Sequence, residues 1–72
     1  MIVIVLNGEP KEIAAGQSIF DLVRSLNLPA ERLAVEHNLN IVKRDHWNSQ
    51  PLAEGDKVEI VQFVGGGSVR IC

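Results

Sequence analysis

The stretch SIFDLVRSLN, residues 18–27, is the segment whose apolar residues recur at helical spacing. Ile19, Leu22, Val23 and Leu26 stand at i, i+3, i+4 and i+7, so one face of a helix is apolar. Ser18 with Asp21 three residues on makes a start of capping-box type, in which each side chain meets a backbone donor of the first turn. Phe20 lies off the stripe and is expected to cover an edge of the core. Asn27-Leu28-Pro29 ends the helix. What flanks it on both sides reads as strand and turn.

Toward the N-terminus, MIVIVL (1–6) is rich in β-branched residues and apolar on both faces, which suits a strand covered on both sides. NGEP (7–10) is turn chemistry, with Asn7-Gly8 the strongest short hairpin signal. KEIA (11–14) returns antiparallel, and Ala15-Gly16 closes that hairpin. Toward the C-terminus, RLAVEHN (32–38) reads as a third strand, Asn38-Leu39-Asn40 as a turn and IVK (41–43) as a short fourth strand. RDHWNSQPLAEGD (44–56) is a polar connection carrying Trp47, with Gly55-Asp56 turning into a last strand, KVEIVQFV (57–64). There Val58 and Ile60 face one way while Val61 and Phe63 face the other. The order β-β-α-β-β-β leaves one helix to cover one sheet face, an α+β two-layer arrangement. With the two most apolar strands, first and last, placed side by side in the middle, the layout is a ubiquitin-like β-grasp. Its mixed sheet of four to five strands packs on one main helix. The chain divides into a domain over 1–64 and a flexible glycine tail over 65–72.

At 72 residues with net charge −2, 46% hydrophobic and 22% charged residues, the chain is one ordinary globular domain. Neither nucleic acid nor an anionic membrane is favoured by that charge. No apolar run nears the ~20 residues of a bilayer span, and the first ten residues lack the basic start of a signal peptide. A cytoplasmic protein, monomeric when free, is expected. Cys72 is the single cysteine, so no internal disulfide forms, and Arg70 is the one neighbour that would lower its pKa. His37 and His46 are expected at solvated loop or strand-end positions, with no metal cluster. Trp47 is expected as a plug over the sheet end. Arg24, Arg32, Lys43 and Arg44 read as scattered surface charge. Asp56 and Glu59 have no supporting base or nucleophile, and no enzyme site is visible. Val61 and Phe63 form either an outward docking patch or ordinary core beneath a loop.

LNGEP (6–10), AAGQSIFDLV (14–23), LAVEHNLNIVKRDHW (33–47), LAEGDKVEIV (52–61) and the Gly-Gly near the end carry a resemblance over residues 1–67. Together they resemble the ThiS family, the sulfur carriers of thiamin (thiazole) biosynthesis within the ThiS/MoaD ubiquitin-like group. MoaD-type carriers are less similar around NIVKRDHW. The resemblance implies a protein that is a substrate more than a catalyst and binds no permanent cofactor. A ThiF-type enzyme uses ATP to adenylate the terminal glycine carboxylate. Sulfur from a cysteine desulfurase persulfide displaces AMP, and a ThiG-type thiazole synthase consumes the resulting thiocarboxylate. On this pattern Gly67 is the residue that reacts, or Gly66 if the mature end lies one residue earlier, and Gly65 extends the reach.

The chemistry accounts for glycine there. A terminal residue without Cβ leaves its carbonyl unobstructed for ATP and then for sulfur, and a glycine before it lets the backbone run through a narrow channel. One departure stands out: the family pattern ends at Gly-Gly, whereas SVRIC (68–72) follows here. Three readings are open: a protease removes the pentapeptide, the glycines are vestigial in a protein of another role, or the tail is not the natural end. A rival of another class is a regulatory β-grasp module of the TGS type, which shares GDxVEI and needs no glycine tail.

Overall fold

A computed structural model of the chain describes residues 1–64 and the backbone of 67–70. Strands β1 (Ile2–Leu6) and β2 (Glu9–Ile13) form a hairpin, and helix α1 spans Ile19–Ser25. Strands β3 (Leu33–His37), β4 (Asn40–Val42), β5 (Lys57–Val64) and β6 (Gly67–Arg70) follow. The sheet runs β2-β1-β5-β3-β4, with β6 on β5 outside that path. β1 and β5 are parallel and adjacent, and the other pairs are antiparallel. This is the mixed five-strand sheet with one main helix expected of a β-grasp.

Local chemistry sets each boundary. Asn7 (φ 49°) and Gly8 (φ 84°) form a two-residue connection with both φ positive, between the paired Leu6 and Glu9. That geometry matches the right-handed twist of the flanking strands. Ser18 Oγ accepts from Asp21 N–H (3.2 Å) and Asp21 Oδ2 from Ser18 N–H (3.0 Å), the reciprocal cap expected. At the other end Asn27, at φ 56°, follows the cap residue Leu26, and its N–H donates to Arg24 C=O. Asparagine tolerates that left-handed turn because its short polar side chain bonds locally.

Ile19, Leu22 and Val23 of α1 pack on Ile4, Leu6, Ile13, Val35, Val58 and Ile60 of the sheet, with Trp47 and Leu52 completing the core. Leu22, Val58 and Ile60 are 0% exposed. Residues Arg44–Ser49, read from sequence as a polar connection, wind into a 3₁₀ helix that drives Trp47 into this core. Its indole N–H donates to Val42 C=O at 2.8 Å. The plug role expected of Trp47 is what the fold shows.

Two expectations need correction. β1 is covered on one face only: Ile4 and Leu6 are buried, but Val3 is exposed and Val5 half-buried. One helix covers one side of a sheet, and among the described residues no second layer faces the other. Beyond β5, Gly67–Arg70 form a strand where sequence reading expected a free tail from Gly65. Ser68, Val69 and Arg70 can all run extended, and the bare edge of β5 offers them backbone partners. Gly65, Gly66, Ile71 and Cys72 lie outside the described residues.

Candidate functional site: the outer sheet face and the C-terminal strand

β5 presents its two faces differently. Val58 and Ile60 point into the core, while Val61 is half-buried and Phe63 is 52% exposed on the opposite face. The two therefore belong to the surface, and the reading of them as core beneath a loop does not hold. Ala34 of β3 stands opposite Val61 in register and so shares that face. Ile41 of β4 pairs with Glu36, placing it on the same side, and is 76% exposed. Val3 of β1, also exposed, stands opposite Gly55 at the other end of β5, with Lys57 and Glu59 between it and Val61. The apolar strip of the outer face is therefore Phe63, Val61 and Ala34, with Ile41 diagonally across from Ala34. Sequence reading found Val61 and Phe63. It missed Ile41 because a three-residue strand gives too little alternation to assign a face.

At the end of β5, Gly67 opens β6 and pairs with Val64. The expected reactive glycine therefore stands beside Phe63, at the margin of the exposed strip. Gly65 and Gly66, expected as tail, are outside the described residues, as is Cys72.

Asn7 plays a second part that the NG motif conceals. Its backbone N–H donates to Val58 C=O (2.8 Å). Its side-chain Oδ1 accepts from Ile60 N–H (2.7 Å) and its Nδ2 donates to Ile60 C=O (3.1 Å). The buried side chain stands in for one more residue of β1, extending the pairing along β5 after the main chain has turned away. Polar burial of this kind is stable because both ends of the amide are satisfied.

A second polar cluster ties the β3–β4 hairpin to the turn before β5. His37 Nε2 lies 2.7 Å from Asp56 Oδ2, which also accepts Ala53 N–H (2.9 Å). Asn38 Nδ2 donates to Asp56 Oδ1 (3.3 Å), and Asn38 Oδ1 accepts Lys57 N–H (2.9 Å). Burial pushes the Asp56 carboxyl upward, but hydrogen bonds from His37, Ala53 N–H and Asn38 outweigh it, and the acid sits below its ordinary value. His37 closes β3, the strand-end place expected, but with its side chain only 14% exposed it is not solvated. Only the fold could show this, because 19 residues separate it from Asp56. His46 is exposed as expected. Arg24, read as loose surface charge, lies over the Phe20 ring at 5.8 Å, a cation–π contact on the helix surface. Among the described residues no His/Cys/Asp/Glu group is placed to hold a metal, and no helix is long and apolar enough to cross a membrane.

The cluster ties hairpin and turn together through side-chain hydrogen bonds. Comparison with known proteins shows what the chain is similar to. A protein named thiazole synthase from Paramagnetospirillum magneticum is 38% identical over 65 residues, which make up 90% of this chain and 20% of that protein. The chain thus spans about a fifth of the length of that relative. The sulfur carrier protein ThiS of Escherichia coli is 30% identical over 64 residues, covering 89% of this chain and 97% of the relative. The crystal structure of thiamine biosynthesis protein ThiS from Geobacter metallireducens superimposes with a TM-score of 0.80 at 29% identity. That likeness covers 92% of this chain and 100% of the other. A family model described as the ThiS family matches residues 4–67, from the first strand to the last of the three glycines. The chain belongs to the ThiS family.

Proposed function

We propose that this protein is a sulfur carrier for thiazole formation in thiamin biosynthesis, acting as a protein substrate at a C-terminal Gly67. The observation that carries the reading is where the family match stops. It runs through the whole domain and ends at Gly67, so SVRIC is an addition to the family pattern. Hydrolysis of the Gly67–Ser68 bond leaves a glycine carboxylate. In the activating step a carboxylate oxygen attacks the α-phosphorus of ATP and pyrophosphate leaves. The outer sulfur of a cysteine desulfurase persulfide then displaces AMP from the acyl carbon to give an acyl disulfide. A second thiol attacks the desulfurase sulfur, breaking the S–S bond to release the thiocarboxylate and leave a disulfide. A ThiF-type enzyme is the activating partner, and the strip containing Val61 and Phe63 is the surface it meets. A ThiG-type synthase as acceptor is supported by proteins named thiazole synthase that contain a stretch similar to this chain.

The test compares the full chain with a form ending at Gly67, each incubated with a thiamin-type activating enzyme, ATP and a sulfur donor, then weighed intact. Replacement of one oxygen by sulfur is expected on the shorter form alone. Five further residues displace the carboxylate by up to ~17 Å, and near-attack placement tolerates little displacement. Sulfur at the Cys72 carboxylate of the full chain would refute the trimming step. Failure of both forms would favour a regulatory TGS-like module. In the shorter form, Phe63→Ala is expected to weaken capture by the activating enzyme while leaving the denaturation midpoint nearly unchanged. Equal capture would remove the strip from the account.

A further inference from the structure

β5 offers one backbone edge to β3 and the other to β1. Val61 and Gln62 pair with Ala34 and Leu33 of β3 and also with Arg70 and Val69 of β6. β6 therefore lies on the edge away from β3, in line with β1. That edge is filled in three successive ways. Val5 and Asn7 N–H groups reach the carbonyls of Asp56 and Val58. The Asn7 side chain takes both backbone groups of Ile60. Backbone groups alternate sides along a strand, so the next to face this edge belong to Gln62 and Val64. They stand opposite Val69 and Gly67.

We infer that residues 67–70 are a self-closing strand that seals this last part of the β5 edge and holds Gly67 folded back on the domain. The inference rests on the carrier reading above and adds a regulation to it. With SVRIC attached, the chain is shut against its activating enzyme for a reason besides a misplaced carboxylate. Activation needs the glycine to run outward, whereas pairing with Val64 keeps it within strand spacing, ~5 Å, of β5. Removing residues 68–72 abolishes three of the four registered pairs, Phe63–Ser68, Gln62–Val69 and Val61–Arg70, and leaves Val64–Gly67 alone. A single pair does not hold a strand, since even an isolated hairpin is marginal in water. One cleavage thus both creates the glycine carboxylate and releases it from the sheet.

The test uses three forms: the full chain, the full chain with Val69→Pro, and the form ending at Gly67. Proline at 69 removes the N–H facing β5 without changing the length of the chain. Amide exchange at Gln62 and Val64 is expected to be at least ~10-fold faster in both altered forms, with the Ile60 amide, held by Asn7, unchanged as the internal reference. Equal exchange in all three forms overturns the closure. The second arm measures binding of each form to the activating enzyme without ATP. Val69→Pro is expected to bind at least ~10-fold tighter than the full chain, although its carboxylate lies equally far out. If only the form ending at Gly67 gains affinity, chain length alone decides and the closure has no regulatory role. If no form binds, the carrier reading fails, and the exchange arm still decides whether the strand closes the edge.

Discussion

Asn7 shows how much a single side chain can carry. In sequence it is half of a hairpin signal, and the turn it forms is the one expected. The fold adds a buried clamp on both backbone groups of Ile60, at the point where β1 runs out. Asn7→Ala is expected to cost about 2–4 kcal/mol, because two buried backbone groups lose partners and alanine must adopt positive φ. Asn7→Gly tolerates that φ, so its remaining loss in urea denaturation isolates the hydrogen bonds. A loss below ~0.5 kcal/mol in both variants would contradict the clamp. Leu39 presents the opposite case. It occupies a hairpin position at φ 72° with its side chain 86% exposed, so it bears left-handed strain with little burial in return. Leu39→Gly is expected to stabilise the fold by about 0.5–1 kcal/mol, read as a higher denaturation midpoint.

At the scale of elements, the helix was the most legible part of the chain. Its stripe and both its ends were set by near neighbours in sequence, and the structure places them as read: Ser18 caps, Leu26 ends, and Ile19, Leu22 and Val23 are buried. Leu22→Ala is expected to destabilise by about 2–5 kcal/mol, the range for an emptied core site. A much smaller loss in chemical denaturation would mean that Leu22 lies off the packed face. The Arg44–Ser49 segment was less legible, since five of its six residues are polar and one tryptophan gives no period. Only the burial of Trp47, with its indole N–H on Val42 C=O, sets it as a 3₁₀ helix. The β3–β4 hairpin is tied to the β5 turn through His37, Asn38 and Asp56. Asp56 titrates below its ordinary value of 3.8 in the fold, so its contribution is fully present above that value. It is lost as pH falls through the lower folded pKa. Acid unfolding of Asp56→Asn should therefore be flatter than wild type in that window, and parallel curves would show that the cluster contributes nothing.

At the scale of the whole molecule, sheet and helix form a two-layer body with one face left bare among the described residues, and β6 fills the part of the β5 edge that β1 leaves open. Near-neighbour chemistry in the sequence by itself determined the helix, its caps, the Asn7-Gly8 hairpin, the alternation of β5 and the glycine run. Each of these depends on residues within a few positions of one another, where period, capping and turn preference act directly. Only the tertiary structure decided that Val3 stays exposed, that Arg44–Ser49 winds into a 3₁₀ helix, that Asn7 reaches Ile60 and that His37 meets Asp56. It also decided that Gly67–Arg70 lie along β5. Those outcomes join residues far apart in the chain or depend on which backbone groups neighbouring strands have left unpaired. No local pattern encodes that, because hydrogen-bond demand along an edge exists only once the sheet is assembled.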